Sequence, residues 1–310
     1  MEIFPEILGR SQAMQRLFEA MSRVAGHDVI VHIHGETGTG KEKVARALHS
    51  HSPRRSGPFE AVNAAGLSDE LFESSFFGHA RGAFTGAVAD RPGHVTAAEG
   101  GTLFLDEVAE LSLAGQAKLL RFLQELEYQR VGETRLRRAN VRVVTAANVD
   151  LAQRVVERRF REDLLFRLDV MRLEVPPLRE RGDDVRFLAG RFLERAAKTA
   201  GVARPDGTMD FWRALQDYHW PGNVRQLENE MQGLVLFGGA GALTREHLSA
   251  RVAEGRPAQR IPLRCAVEGF ERALVTRMLQ SHSGARTATA VALGITRQAL
   301  HAKMRRLGIP

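Results

Sequence analysis

Apolar positions along the chain switch between two periods. From Arg10 to Ala25 they fall at Ala13, Met14, Leu17, Phe18, Met21, Val24 and Ala25, the spacing of one helical face. Val29–His34 then reads as a buried strand rich in β-branched residues. Helical spacing returns at Val44, Ala45, Ala47 and Leu48. Thr102–Leu105 is a second strand, and Leu111–Leu126 a helix through Leu113, Ala117, Leu119, Leu120, Leu123 and Leu126. Val131–Thr134 reads as a turn, Val141–Ala147 as a third strand ending at Asn148, and Val170–Val175 as a fourth closed by Pro176-Pro177. Strands alternating with helices predict an α/β fold, a parallel sheet covered on both faces.

Beyond Pro177 the pattern is helical only. Asp183–Ala200 carries an apolar face at Val185, Leu188, Ala189, Phe192, Leu193 and Ala196. Further helices are predicted at Met209–Tyr218, Val224–Phe237 and Thr244–Ala250, the second of these started by Pro221 and Gly222 with Asn223 as N-cap. A polar stretch with Gly255, Pro257 and Pro262 reads as a linker. After it come a helix at Ala266–Ser281 and a pair, Thr287–Leu293 and Thr296–Leu307, joined at Gly294-Ile295. Ala290, Leu293, Ile295, Ala299, Leu300 and Met304 would form the core of that piece. The expected divisions are 1–176 (α/β), 177–252 (all-helical), 253–262 (linker) and 263–310 (helix-turn-helix).

Composition narrows the class. The 310 residues are 44% hydrophobic and 26% charged, ordinary for a soluble globular chain. No apolar run approaches the roughly 18 residues of a membrane helix, and the acidic first residues are no secretion signal. One cysteine, Cys265, excludes an internal disulfide, which fits a cytoplasmic protein. Charge is uneven. Residues 256–310 hold ten arginines and lysines against Glu268 and Glu271, a balance of +8 in a chain whose total is +7. Such a basic tail points to nucleic acid. The eleven histidines show no metal-ligand spacing.

Two stretches carry chemistry. Gly35-Glu36-Thr37-Gly38-Thr39-Gly40-Lys41-Glu42 lies between a strand and a helix, the setting of a phosphate-binding P-loop. Its glycines let backbone N–H groups curl around phosphate oxygens, and Lys41 supplies a cation. Glu42 stands where such loops usually place a Ser or Thr for the magnesium ion. Asp106-Glu107 ends the second strand, and paired with the P-loop it completes a nucleotide-hydrolysing site: Asp106 would hold Mg2+ through water and Glu107 would polarise the attacking water. Asn148 ends a strand where ligands bind in open α/β sheets. His79 to Ala87 has a different character. Phe84 and Thr85 sit between Gly82 and Gly86, a mobile loop with an aromatic tip, suited to contact rather than reaction. The helix-turn-helix residues Thr296, Arg297, Gln298, His301, Lys303 and Arg305 cluster on and around the last helix and suit a DNA groove.

Together these motifs resemble the bacterial enhancer-binding proteins, AAA+ activators of sigma-54-dependent transcription. The resemblance runs from about Ile7 to Ile309, and its most specific marker is Gly82-Ala83-Phe84-Thr85-Gly86-Ala87, which matches the family's sigma-contacting loop. It implies an AAA+ ATPase subdomain, a helical lid, and a Fis-type helix-turn-helix. ATP would bind the P-loop, and Glu42 becomes a family trait. Asn63 would restrain the catalytic glutamate, Asn148 would sense the γ-phosphate, and Arg225 would reach back from the lid. Arg161 and Arg167 would act as arginine fingers on a neighbouring subunit, so activity implies a ring, typically a hexamer, alone or mixed with a paralogue. Implied partners are sigma-54 RNA polymerase and double-stranded DNA. The chain departs from the family at Ala147, at Ser75–Ala80 and at Leu165-Phe166. With the AAA+ module beginning near Met1, no N-terminal sensing domain is expected, and control would come from a separate protein, expression level or DNA-templated assembly. The alternative is a DNA-binding regulator that uses ATP only to oligomerise.

Overall fold

The computed structural model describes residues 4–66, 69–237, 241–255, 275, 278–279 and 286–307. The chain forms two compact units, Met1–Pro257 and Ala258–Pro310.

The first unit is built on a five-stranded sheet. Its strands are β1 (Val31–His34), β2 (Phe59–Asn63), β5 (Thr102–Asp106), β8 (Arg142–Ala147) and β9 (Arg172–Glu174), in the order β2-β5-β8-β1-β9. All four pairings are parallel. The two-residue strands β3 (Gly78–His79) and β4 (Arg91–Pro92) pair with each other, as do β6 (Glu127–Tyr128) and β7 (Arg137–Arg138). Period-two alternation splits the apolar residues between the faces of the sheet. Phe104 and Val144 pack with Met14, Met21 and Leu48 from helices α1 (Gln12–Ala25) and α2 (Lys41–Ser50). Leu103, Leu105 and Val143 face the other way, onto Phe76, Phe122 and Leu164. Those come from α3 (Asp69–Phe76), α5 (Leu113–Glu125) and α7 (Glu162–Leu168). The short helices α4 (His94–Ala97) and α6 (Leu151–Val156) join this same side, through Val95 and Leu151.

Parallel register brings the strands' carboxyl ends together: His34 pairs with Ala147, and Asn63 with Asp106. β1 lies beside β8 rather than β2, and the crossing of strand order there opens a crevice for ligand. Two buried histidines are paired with threonines of the sheet. His32 Nδ1 meets Thr145 Oγ1 at 3.0 Å, and His49 Nδ1 meets Thr102 Oγ1 at 2.9 Å. Burial first, then Arg172, pushes His32 down to about 3, so the ring is neutral.

The lid follows as α8 (Asp184–Ala200), α9 (Met209–Asp217), α10 (Asn223–Phe237) and α11 (Ala250–Ala253). Its core gathers Leu188, Phe192, Phe211, Trp220, Leu227 and Met231. Trp220 Nε1 donates to Leu215 O at 2.8 Å, which satisfies the buried indole.

Two expectations fail here. Thr244–Ala250 is not one helix but a 3-10 turn at Arg245–His247, followed by an extended Leu248 and then α11. His247 Nδ1 accepts from the Thr244 N–H at 3.1 Å, which closes the turn early. Asn223 is not an N-cap. It starts α10 with a left-handed φ of 50°, and its side-chain amide is engaged far from the helix end.

The second unit contains helices Arg286–Ala292 and Arg297–Leu307 joined at Gly294, whose φ is 65°. Val275, Ala290, Leu300 and Met304 form its core with Leu279, Leu293 and Ile295 against them, while Ala299 stays outside that cluster. Most of the expected helix at Ala266–Ser281, and residues 256–262 of the expected linker, lie outside the described residues.

Candidate active site

A cavity of about 250 Å³ opens at the carboxyl ends of β1 and β5, between sheet and lid. Its lining is mixed: Lys41, Asp106, Glu107 and Arg225 are polar, and Leu8 and Leu188 are apolar.

The polar lining begins with backbone geometry. Gly38 and Gly40 adopt φ of 79° and 99°, left-handed values that bend the chain around the cavity and deliver it into α2. Lys41 is only 6% exposed, and its Nζ donates to Gly35 O at 2.9 Å and lies 4.0 Å from Glu107 Oε1. Burial lowers its affinity for a proton, opposed by Glu107 and Asp106. The two acids are shifted the other way. Burial raises Asp106 and Glu107 above the usual carboxylate range, while Lys41 pulls both back down. Asp106 Oδ1 accepts the Glu107 N–H at 3.0 Å, and Glu107 itself has φ 53°, a strained value for a side-chain-bearing residue. Asn148 Nδ2 donates to Thr37 Oγ1 at 3.3 Å. Among the described residues, Glu107 Oε2 and Asn148 Oδ1 are buried acceptors with no hydrogen-bond partner.

Other expected residues are placed differently. Asn63 Oδ1 accepts the Ala65 N–H at 2.9 Å, and no hydrogen bond joins Asn63 to Glu107. Glu36 turns its carboxylate to Arg179 and Asn223 of the lid, and Glu42 pairs with Arg46 on the surface of α2 at 2.8 Å. The Arg225 main-chain N–H donates to Gly38 O at 3.2 Å, and its side chain borders the cavity. Arg161 and Arg167 do not line the cavity. Arg161 is exposed and held by Asp163 at 2.7 Å, and Arg167 Nη2 donates to Leu123 O at 2.8 Å.

The loop residues follow β3 in the chain and do not line the cavity. Gly82 N donates to Ala87 O at 2.8 Å, and Ala87 N to Phe84 O at 3.0 Å, so the loop is a compact knuckle. Gly82 and Gly86, with φ of 80° and 105°, make its bends. Phe84 is 45% exposed, and its ring meets the edge of His79 at 4.9 Å. His79 Nδ1 is in turn 2.7 Å from Ser74 Oγ at the end of α3. Ala80 N donates to Val131 O at 3.0 Å, and Gly132 packs on Ala83. In the second unit Thr296, Gln298 and His301 are exposed, and Thr296 Oγ1 accepts the Ala299 N–H at 3.1 Å, capping its helix. Lys303 is half-buried, and the side chains of Arg297 and Arg305 lie outside the described residues.

Sequence reasoning missed Ile7 and Leu8 of the apolar lining, and three polar side chains that organise the site. Arg181, 2% exposed, donates from Nη2 to Thr39 O at 3.1 Å; burial lowers it to about 10. Asp184 accepts from Ser11 N and Arg10 N, fixing the segment that carries Ile7 and Leu8. Gln116 Oε1 accepts the Arg161 N–H at 2.9 Å and sets the start of α7. A charged run such as Arg179-Glu180-Arg181 reads as surface, and no signal marks Gln116.

A glycine loop after the first strand, two acids at the end of β5 across β8 from it, and a helical lid over the cavity define a P-loop ATPase fold of the AAA+ class. Residues 7–174 match the model of the sigma-54 interaction domain, residues 179–262 that of an AAA+ ATPase lid domain, and residues 266–307 that of the Fis family of bacterial regulatory proteins. The nitric oxide reductase transcription regulator NorR1 of Cupriavidus necator is 44% identical over 98% of this chain and 64% of its own length. NorR of Klebsiella pneumoniae is also 44% identical, over 98% of this chain and 62% of its own. The crystal structure of NtrX from Brucella abortus in complex with ATP superposes with a TM-score of 0.77 at 35% identity, covering 98% of this chain and 69% of that one. The chain belongs to the sigma-54 interaction domain family, the AAA+ enhancer-binding activators with a Fis-type helix-turn-helix. It spans a little under two thirds of the length of these curated relatives.

Proposed function

We propose that the protein is an ATP-driven transcriptional activator. It would assemble as a ring on upstream DNA, hydrolyse ATP, and use the Gly82–Ala87 loop to remodel sigma-54 RNA polymerase into an open complex. The observation that carries this reading is the convergence of Lys41, Asp106 and Glu107 on a cavity also lined by the apolar Leu8, Leu188 and Phe192. That mixture suits a molecule with a phosphate tail and an aromatic base, and the relative NtrX was crystallised with ATP.

The chain's own groups divide the work. Lys41 and the free N–H groups of the glycine loop bind phosphate. Glu107 Oε2 and Asn148 Oδ1, two unpaired buried acceptors, suit a water that donates two hydrogens, held by Glu107 for in-line attack on the γ-phosphate. Asp106 has the chemistry to hold magnesium through water, as that ion keeps several waters and takes one or two carboxylates; bound there, it would offset the phosphate charge. Arg161 and Arg167 do not line their own cavity, which supports their service to a neighbour's. Asn63 ends β2 beside Asp106, where it could link the site to the Gly82–Ala87 loop through the 3-10 turn Ala64–Gly66 and α3.

The loop favours remodelling over ATP-dependent oligomerisation alone, because an exposed aromatic between two left-handed glycines suits contact with another molecule. The test is ATP turnover per subunit as a function of protein concentration, alongside the assembly state. Turnover should rise steeply over the range where the ring forms. A constant turnover from monomer to ring would contradict the shared site.

A further inference from the structure

The lid donates hydrogen bonds to four consecutive residues of the phosphate loop. Arg179 Nη1 and Nη2 reach the two carboxylate oxygens of Glu36 at 2.9 and 2.7 Å. Asn223 Nδ2 donates to Glu36 Oε2 at 3.1 Å and to Thr37 O at 3.0 Å. The Arg225 N–H donates to Gly38 O at 3.2 Å, and Arg181 Nη2 to Thr39 O at 3.1 Å. The contact is close enough that a Cβ on Gly38 would stand 2.3 Å from Gly222 O.

Asn223 is the centre of this set. It is fully buried, and its Oδ1 accepts the Leu178 N–H at 2.8 Å, so the planar amide is fixed at both ends. The left-handed backbone that places it is tolerated by asparagine better than by most residues. Neither Asn223 nor Arg179 lines the nucleotide cavity.

A peptide unit is rigid and planar, so a carbonyl held on one side aims the next N–H to the other. Holding Thr37 O aims the Gly38 N–H; holding Thr39 O aims the Gly40 N–H. Both glycines line the cavity, and among the described residues neither N–H has a protein acceptor. We propose that Asn223 and Arg179 are positioning residues for phosphate binding: the lid holds the outer side of the P-loop so that its N–H groups face the phosphates. This rests on the nucleotide reading above. Lid position and phosphate affinity are then one linked equilibrium, and nucleotide should tighten the lid as much as the lid tightens nucleotide.

The experiment uses the full chain and displacement of a fluorescent ATP analogue by ATP and by adenosine. Asn223→Gly keeps the left-handed backbone and removes the amide. It should weaken ATP by about tenfold, the loss of two hydrogen bonds, and leave adenosine within about twofold. Arg179→Gln, at a half-exposed site that does not threaten folding, should weaken ATP by about threefold with adenosine unchanged. A merely structural role would move both ligands together. Loss of adenosine in step with ATP, or ATP affinity unchanged in both variants, would overturn the proposal. Failure of the unmutated chain to bind ATP at all would overturn the nucleotide reading itself.

Discussion

Gly132→Ala adds one methyl group where the second loop touches the first. The new Cβ would lie 2.7 Å from Ala83 Cβ and 3.0 Å from Ala83 Cα. Ordinary carbon contacts need about 3.5–4.0 Å. Ala83 has no flexible side chain to turn aside, so one loop must move by roughly an ångström. The backbone adds a second term, because Gly132 has φ 82°, which costs a residue with a Cβ about 1–2 kcal/mol. Against these stand the edge contact of Phe84 with His79, worth about 0.5–1.5 kcal/mol, and the hydrogen bonds from Ala80 N to Val131 O and from Val131 N to Gly78 O. Strain of this size, relieved when the loops part, should raise the undocked population by about tenfold. Trypsin reads this directly, since Arg81 opens the knuckle and its N–H is tied to Asp90 Oδ1 at 2.7 Å. Cleavage after Arg81 should accelerate by the same factor when opening is fast relative to cleavage. ATP binding should not change, because the cavity lies elsewhere. An unchanged cleavage rate at Arg81 in a folded variant would refute the docked geometry.

Other expectations follow from the same structure. Glu107→Gln should bind ATP yet hydrolyse it about 10²–10⁴-fold more slowly, the usual worth of a positioned base; near-normal turnover would sink its assignment. The acid limb of kcat/KM should begin above the ordinary glutamate range, since burial raises Glu107 and its protonated form cannot take a proton. A limb at ordinary glutamate pH would show that Glu107 is not the titrating group. Arg161→Ala should be inactive alone, and so should Lys41→Ala; mixing them should restore part of the turnover if the arginine serves a neighbour's site. No gain on mixing would place the finger elsewhere.

Phosphate-loop chemistry was legible because it is local. A glycine run between strand and helix states its own bend, and Lys41 stands at a fixed distance from it. Asp106-Glu107 was legible as an abrupt polar end to a buried strand. The lid's grip on the loop was not, because Arg179 and Asn223 sit 143 and 187 residues from Glu36 and leave no periodic trace. Local chemistry even misled at Asn223: beside Pro221 and Gly222 it reads as a cap, while tertiary contacts use its amide and its tolerance of a left-handed backbone. Edge strand β2 carries only one fully buried side chain, Val62, too little pattern to announce a strand. Val131-Gly132 read as a plain turn because its partner, Ala83, is distant in sequence.

Open-complex formation tests the central claim most directly. The full chain, ATP and purified sigma-54 RNA polymerase on a sigma-54 promoter bearing its upstream site should give melted promoter DNA. The same mixture with Thr85→Ala should still hydrolyse ATP and bind DNA but leave the promoter closed. ATP-independent repression without melting, or full melting by Thr85→Ala, would contradict the account.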